Sequence, residues 1–296
     1  MKPKPHQAKA IDFAVESLKL NRRCVAQLPT GSGKTLVALT VSRMMPNRRI
    51  WILTPTVESL AAHTSQSRMI GLNIAPELRD RKASRFARLC ITTYATAWHR
   101  PQIIKPDDLI IFDECHHVNF RAPCNSSLLH SKRLAFGLSA SPWSIGSKDY
   151  FPHRHIQPLS ELINLGINAD YSICDWSVPV SRSYQIVYTR ASANHELLRG
   201  LKSSDYAICK RMNSRQVIDR FRRGIVRTIV VNRMLTEGFD LRQVKHIYID
   251  RIIKSRILLY QMAGRALRAH NGQTASIYVS DSDTKERLIS AFQRAK

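Results

Sequence analysis

Ten short apolar runs punctuate this chain, at 24–27, 50–54, 89–92, 109–112, 134–138, 184–188, 206–209, 228–231, 246–249 and 275–279, with amphipathic stretches between them. That alternation is the pattern of strand–helix–strand units, whose crossovers bring strands into parallel sheets. The runs fall into two series of five, so the expectation is an α/β chain of two similar lobes. Between the series, LSELINLG starts like a helix and SICDWSVP is irregular and polar. The expected division is therefore a first lobe at 1–165, a linker at 166–180 and a second lobe at 181–296. No internal repeat or low-complexity tract interrupts it.

A length of 296 residues suits about two domains. The charge is unusual: 46 Lys and Arg stand against 22 Asp and Glu, a formal net charge of +24. Up to residue 180 there are 23 basic and 13 acidic residues, and after it 23 and 9, so both expected lobes are basic. A polyanionic partner is implied. With 44% hydrophobic residues the chain can bury a core, which excludes a basic disordered tail. No run approaches the roughly 18 apolar residues of a membrane span, and MKPKPHQAKAIDF lacks the apolar stretch of a signal peptide. A cytoplasmic protein with no membrane partner is expected. Cys24, Cys90, Cys115, Cys124, Cys174 and Cys209 are scattered without a CxxC pair, and read as reduced thiols.

Two motifs carry chemistry. LPTGSGKT, from Leu28 to Thr35, lies between an expected strand and an amphipathic helix. Gly31 and Gly33 let the loop of Pro29, Thr30, Gly31, Ser32 and Gly33 turn the N–H groups of its residues after Pro29 onto a polyphosphate at a helix N-terminus. Lys34 can reach the β and γ phosphates, and the Thr35 hydroxyl can hold Mg²⁺. Leu28 stands where the general pattern of such loops has its first glycine. Second, Asp113 and Glu114 directly follow the apolar run LIIF. Carboxylates at the C-terminal end of a parallel strand sit where open α/β sheets bind ligands. There Asp113 can hold Mg²⁺ while Glu114 orients and deprotonates an attacking water.

With these two motifs the chain resembles a superfamily 2 helicase or translocase of the DExH kind. PHQ at 5–7, TPT at 54–56, ITTY at 91–94, SASP at 139–142, NRMLTEGFDL at 232–241 and QMAGRALR at 261–268 follow that family's order and spacing. The resemblance implies two RecA-like parallel-sheet lobes with the ATP site in the cleft between them, and ATP and Mg²⁺ as cofactors. It implies that Gln7 reads the adenine edge, that Arg265 and Arg268, expected on one face of a helix, are arginine fingers for the γ-phosphate, and that Gln261 reaches the attacking water. By the same resemblance Gly238 and Asp240 lie by the ribose, and His116, Ser139 and Ser141 couple the ATP site to the SASP segment. Thr54, Thr56, Thr93, Thr189 and Asn232 are the candidates for the nucleic-acid strand, and each is also the kind of residue found at ordinary turns and strand ends.

DECHH with LTEGFDL and QMAGRALR is most similar to restriction-enzyme motors and to phage and repair branch-migration helicases, which favours DNA over RNA as the partner. A protein partner supplying specificity is compatible with so compact a motor, in which 28 residues follow Arg268. The alternatives are an RNA-dependent ATPase and an ATP-switched loading adaptor. The His153 and His155 pair and the Cys115, His116, His117 run do not have zinc spacing. Arg220, Arg222 and Arg223 could touch phosphates or simply face solvent.

Overall fold

The structure, a computed structural model, describes residues 2–121, 128–129, 133–141, 146–177, 179, 183–189, 201–202, 204–209, 214–232, 243–268 and 274–293. The chain divides into two compact units, Met1–Pro158 and Leu159–Lys296. In the first, β1 (Cys24–Gln27), β2 (Ile50–Thr54), β3 (Ala75–Glu77), β4 (Leu89–Thr93), β5 (Leu109–Asp113), β6 (Ala135–Ser139) and β7 (His153–Ile156) form one parallel sheet in the order β3-β4-β2-β5-β6-β1-β7.

The central strands read as unbroken apolar runs because both faces of the sheet are covered. Ile50, Ile52, Ile91 and Ile111 pack with Ala10, Ile11, Val37 and Val41 from helices α1 (Pro5–Lys19) and α2 (Lys34–Met44). Trp51, Leu53, Ile110 and Phe112 face the other way, into a cluster with Phe120, Tyr150 and Phe151. Burying each such side chain stabilises the fold by about 1.5–3 kcal/mol, and the period of two along each strand fixes its register.

In the second unit β8 (Tyr171–Asp175), β9 (Gln185–Thr189), β10 (Tyr206–Ile208), β11 (Thr228–Val231), β12 (His246–Asp250) and β13 (Ala275–Val279) form a second parallel sheet, ordered β10-β11-β9-β12-β13-β8. Val187, Val230 and Tyr248 are buried on it, with the Tyr248 and Tyr278 rings stacked 4.5 Å apart.

The expected linker is corrected by this arrangement. Residues expected at 166–180 to join the lobes belong to the second unit: a helix at Leu159–Asn164 leads into β8, which pairs with β13 from Tyr171↔Ala275 to Asp175↔Val279. β8 escaped the sequence pattern because it is an edge strand, half-buried at most, with polar residues interleaved. The edge strand β7, which reads HRHI, escaped for the same reason, and β3 because it is three residues long and holds Pro76 and Glu77. His153 and His155 are thus strand residues, and among the described residues no group of three or more His, Cys, Asp or Glu gathers as a metal site. Among the same residues no helix is long and apolar enough to cross a membrane.

Candidate active site

The phosphate loop is built by two left-handed glycines. Gly31 and Gly33 have φ of 85° and 87°, a region costly for residues with a side chain, and α2 starts at Lys34 immediately after them. Helix α1 straps the loop down: Gln7 Nε2 donates to Ser32 O at 2.7 Å, and His6 Nε2 lies 2.9 Å from the same oxygen. Gln7 Oε1 in turn accepts from the Lys4 backbone N–H at 2.8 Å. The residue expected to read adenine therefore has both ends of its amide engaged, one of them on the phosphate loop itself.

β5 delivers the acids. Asp113 closes the strand, buried, and Glu114 follows with φ 52° and ψ 53°, a left-handed conformation uncommon for glutamate that turns the chain sharply off the sheet. The turn brings Glu114 Oε1 to 3.2 Å from Lys34 Nζ and Oε2 to 3.5 Å from His116 Nδ1. His116 Nδ1 lies 2.8 Å from Ser139 Oγ, which accepts from the Ser141 N–H at 3.0 Å. A line of polar groups thus runs from the phosphate loop through the DECH turn to SASP. Glu114 Oε2 is buried with no hydrogen bond among the described residues, an acceptor placed for a water.

One residue of the site was not expected. His63, on helix α3 (Val57–Met69), is buried with Nε2 3.6 Å from Asp113 Oδ2 and Nδ1 2.9 Å from Ser59 O. Tyr94 OH, also buried, donates to the Asp113 backbone carbonyl at 2.6 Å. Asp113 is held from two sides. Cys115, fully buried behind the two acids, has its thiol pushed well above the ordinary range, by burial first and then by the Glu114 and Asp113 carboxylates. It is a packing residue. For a divalent cation the oxygen set of Asp113 and Thr35 suits Mg²⁺, a hard ion that takes carboxylate, hydroxyl and phosphate oxygens.

The strand candidates are placed differently from the expectation. Thr54 is fully buried and its Oγ1 donates to Thr92 O at 3.3 Å and to Thr56 O at 3.2 Å; Thr189, also buried, donates to Asp250 Oδ2 at 3.2 Å. Both hydroxyls tie strand ends together instead of facing a ligand. Thr56 and Thr93 are helix N-caps, accepting from the Ser59 N–H at 3.1 Å and the Thr96 N–H at 3.3 Å. Asn232 is exposed, with Arg251 Nη1 2.7 Å from its Oδ1.

The helix expected to carry both arginines is also shorter. It runs Arg256–Ala263, includes Gln261 in its last turn and is capped by Gly264. Arg265 follows on a turn, buried, and Arg268 sits in an isolated β-bridge with Asn168. The two arginines therefore do not share a helix face. Arg265 is near enough to Tyr188 for its positive charge to oppose the rise that burial imposes on that phenol. Arg222 and Arg223 are exposed, the latter paired with Asp219 at 3.1 Å. Gly238 and Asp240 lie outside the described residues.

Comparison with known proteins agrees with this geometry. Residues 1–144 match the family described as type III restriction enzyme, res subunit, and residues 182–270 match the helicase conserved C-terminal domain. A 135-residue stretch, 44% of this chain, is 27% identical to the DNA 3'-5' translocase XPB2 of Sulfurisphaera tokodaii and covers 30% of that protein. The structure superposes over 100% of the chain on the type ISP restriction-modification enzyme LlaBIII bound to DNA, with a TM-score of 0.75 and 14% identity, covering 29% of that chain. It superposes over 99% of the chain on S. cerevisiae Dbp5 bound to RNA and ADP BeF3, with a TM-score of 0.66 and 14% identity, covering 91% of that chain. The chain thus spans less than a third of the translocase and of the restriction enzyme. Two parallel-sheet lobes of the RecA-like kind, a glycine loop and a DECH turn on the first, and matches to both halves of a helicase core place the chain in superfamily 2 of the helicases and translocases.

Proposed function

We propose that this chain is a DNA-directed ATPase motor, a helicase or translocase that converts ATP hydrolysis into movement on nucleic acid. The observation that carries the proposal is the polar line Lys34, Glu114, His116, Ser139 beside Asp113, at the C-terminal ends of β1, β5 and β6. The loop amides and Lys34 bind the β and γ phosphates, drawing Lys34 away from Glu114. Glu114, freed from the ion pair that its Oε1 makes, orients the attacking water with its carboxylate and takes the proton, while His116 beside Oε2 fixes the carboxylate. Asp113 and Thr35 would hold Mg²⁺, which would supply neutralisation of phosphate charge. Gln261 is assigned to the attacking water, Arg265 and Arg268 to the γ-phosphate, and Gly238 and Asp240 to the ribose.

The DNA preference is supported by what the translocase and the restriction enzyme act on or bind. Target choice is assigned to a protein partner, because the motif residues include no base-reading element. The test is ATPase rate with single-stranded DNA, duplex DNA, forked DNA and RNA, for the unaltered chain and for Lys34→Ala and Glu114→Gln. DNA is expected to stimulate more than RNA. Both variants should lose at least about 10²-fold in rate, as loss of a catalytic base does, while Glu114→Gln keeps ATP affinity. Near-normal turnover by Glu114→Gln refutes its role, and greater stimulation by RNA replaces the DNA reading.

A further inference from the structure

Residues 79–88, RDRKASRFAR, form the most basic stretch of the first unit, with Arg79, Arg81, Lys82, Arg85 and Arg88 against Asp80 alone. After β3 the chain turns back along the outer edge of the sheet to reach the start of β4, and a groove of about 690 Å³ lies there. Its lining combines apolar residues, Leu72, Ile74 and Pro76, with Arg81, Lys82 and Phe86.

The stretch is built as a fixed surface. Buried Glu77 accepts from the Ala83 N–H at 2.5 Å and pairs with Arg100 at 2.9 Å, and Arg100 Nη2 donates to Leu78 O at 2.8 Å. At the other end Arg49 donates to the carbonyls of Arg85 at 3.0 Å and Ser84 at 3.2 Å, with its guanidinium 5.3 Å from the Trp51 ring centre. These bonds hold the backbone and leave the long side chains outward. Arg79, Arg81, Lys82 and Arg85 are exposed, and among the described residues none has an ion pair or a side-chain hydrogen bond. Phe86 is 82% exposed, its ring 4.7 Å from the Arg85 guanidinium.

An exposed aromatic ring among cations that have no ion pair, in a groove also lined by apolar residues, is the chemistry that takes a base by stacking and its phosphates by charge. Bases inside a duplex do not offer that face. The groove is also remote from the ATP chemistry: it touches Leu89, the first residue of β4, level with Leu109 through Ile50, whereas Asp113 lies four residues on at the other end of β5, about 13 Å away at strand rise.

We propose that this groove is a second nucleic-acid surface, which holds a single strand at the rim of the first sheet opposite the ATP site. The proposal rests on the motor reading above. It is tested by fluorescence anisotropy with labelled oligo-dT over a range of salt, using the full chain, the variant Arg81→Ala/Lys82→Ala/Arg85→Ala, and Phe86→Ala. Because all four side chains are exposed, the variants should fold, which circular dichroism verifies. The triple variant should lower the magnitude of the log K against log salt slope by about 2, at about 0.7 per lost phosphate contact. Phe86→Ala should weaken oligo-dT binding about fivefold to a hundredfold and leave binding of a duplex unchanged. ATPase activity without nucleic acid should be unchanged in both. Slopes and affinities equal to those of the unaltered chain overturn the proposal. So does equal weakening for duplex and single strand, or polyglutamate competing as well as oligo-dT, which would give the face to an acidic protein. If no nucleic acid stimulates the unaltered chain's ATPase, the motor reading fails; if stimulation is present and the variants bind normally, only the groove does.

Discussion

Gly33 shows how tightly the phosphate loop is determined. Its φ of 87° is left-handed, and a Cβ there would lie 2.3 Å from Gln7 Nε2. Gly33→Ala must therefore bear the left-handed cost of about 1–2 kcal/mol and also push Gln7 off Ser32 O. ATP-analogue affinity should fall at least about tenfold, a loss of about 1.4 kcal/mol. Gly71, with φ 70° and open space within 4 Å of where a Cβ would stand, is the control: Gly71→Ala should lower the melting temperature slightly and leave nucleotide affinity alone. Binding titrations and thermal melts read both. Lys34, Glu114, His116 and Ser139 were legible because their residue types are dictated by phosphate and proton chemistry at strand ends. His63 was not, since one histidine on an amphipathic helix has no pattern of its own, and its partner Asp113 is 50 positions away in the chain. The bonds of Thr54 and Thr189 to neighbouring strands were not legible, because a threonine at a strand end looks the same whether it faces a ligand or its own sheet.

At the scale of elements, α3 links the TPT segment to the acid site. Thr56 caps it, Ser59 sits one turn in with its carbonyl on His63, and His63 reaches Asp113. Removing the cap should cost about 1 kcal/mol. Thr56→Ala should thus lower the melting temperature, and Thr56→Asn, an equally good cap, should restore it. If Thr56 acts only on nucleic acid, Thr56→Ala will change DNA affinity with stability intact, which contradicts the capping role. Buried central strands were legible element by element, and β1, β2, β11 and β13 fall where the apolar runs put them. Three edges were not: β7 and β8 are half solvated and need no apolar run, and β3 is three residues long with Pro76 and Glu77 in it. The end of the helix at Ala263 was missed too: QMAGRALR continues in good helix formers, and only Gly264 hints that the turn stops there.

For the whole molecule the dominant quantity is its charge of +24, distributed over both halves. Affinity for single-stranded DNA without nucleotide should fall steeply with salt; neutralising about five phosphates gives a slope of log K against log salt of about −3.5. A flat salt dependence would mean that the excess charge serves something other than phosphate binding. Scrambling the base order should leave the affinity nearly unchanged. Two parallel-sheet lobes were readable from the alternation of runs, but the position of the division was not. A polar edge strand and a linker present the same composition, and only the pairing of β8 with β13 separates them.

The place of β1 in the first sheet sets an order on synthesis. The strand that leads into the phosphate loop emerges before its neighbours on both sides, β6 and β7, which lie at Ala135–Ser139 and His153–Ile156. Until those residues leave the ribosome, Cys24–Gln27 has no ladder to join, and the nascent chain carries an unpaired apolar strand through most of the first lobe's translation. Long-range parallel pairing of this kind folds slowly and exposes strand edges to association. The nucleotide loop is thus made well before it is framed, so that chains terminated ahead of β6 should be recovered in aggregates and chaperone complexes.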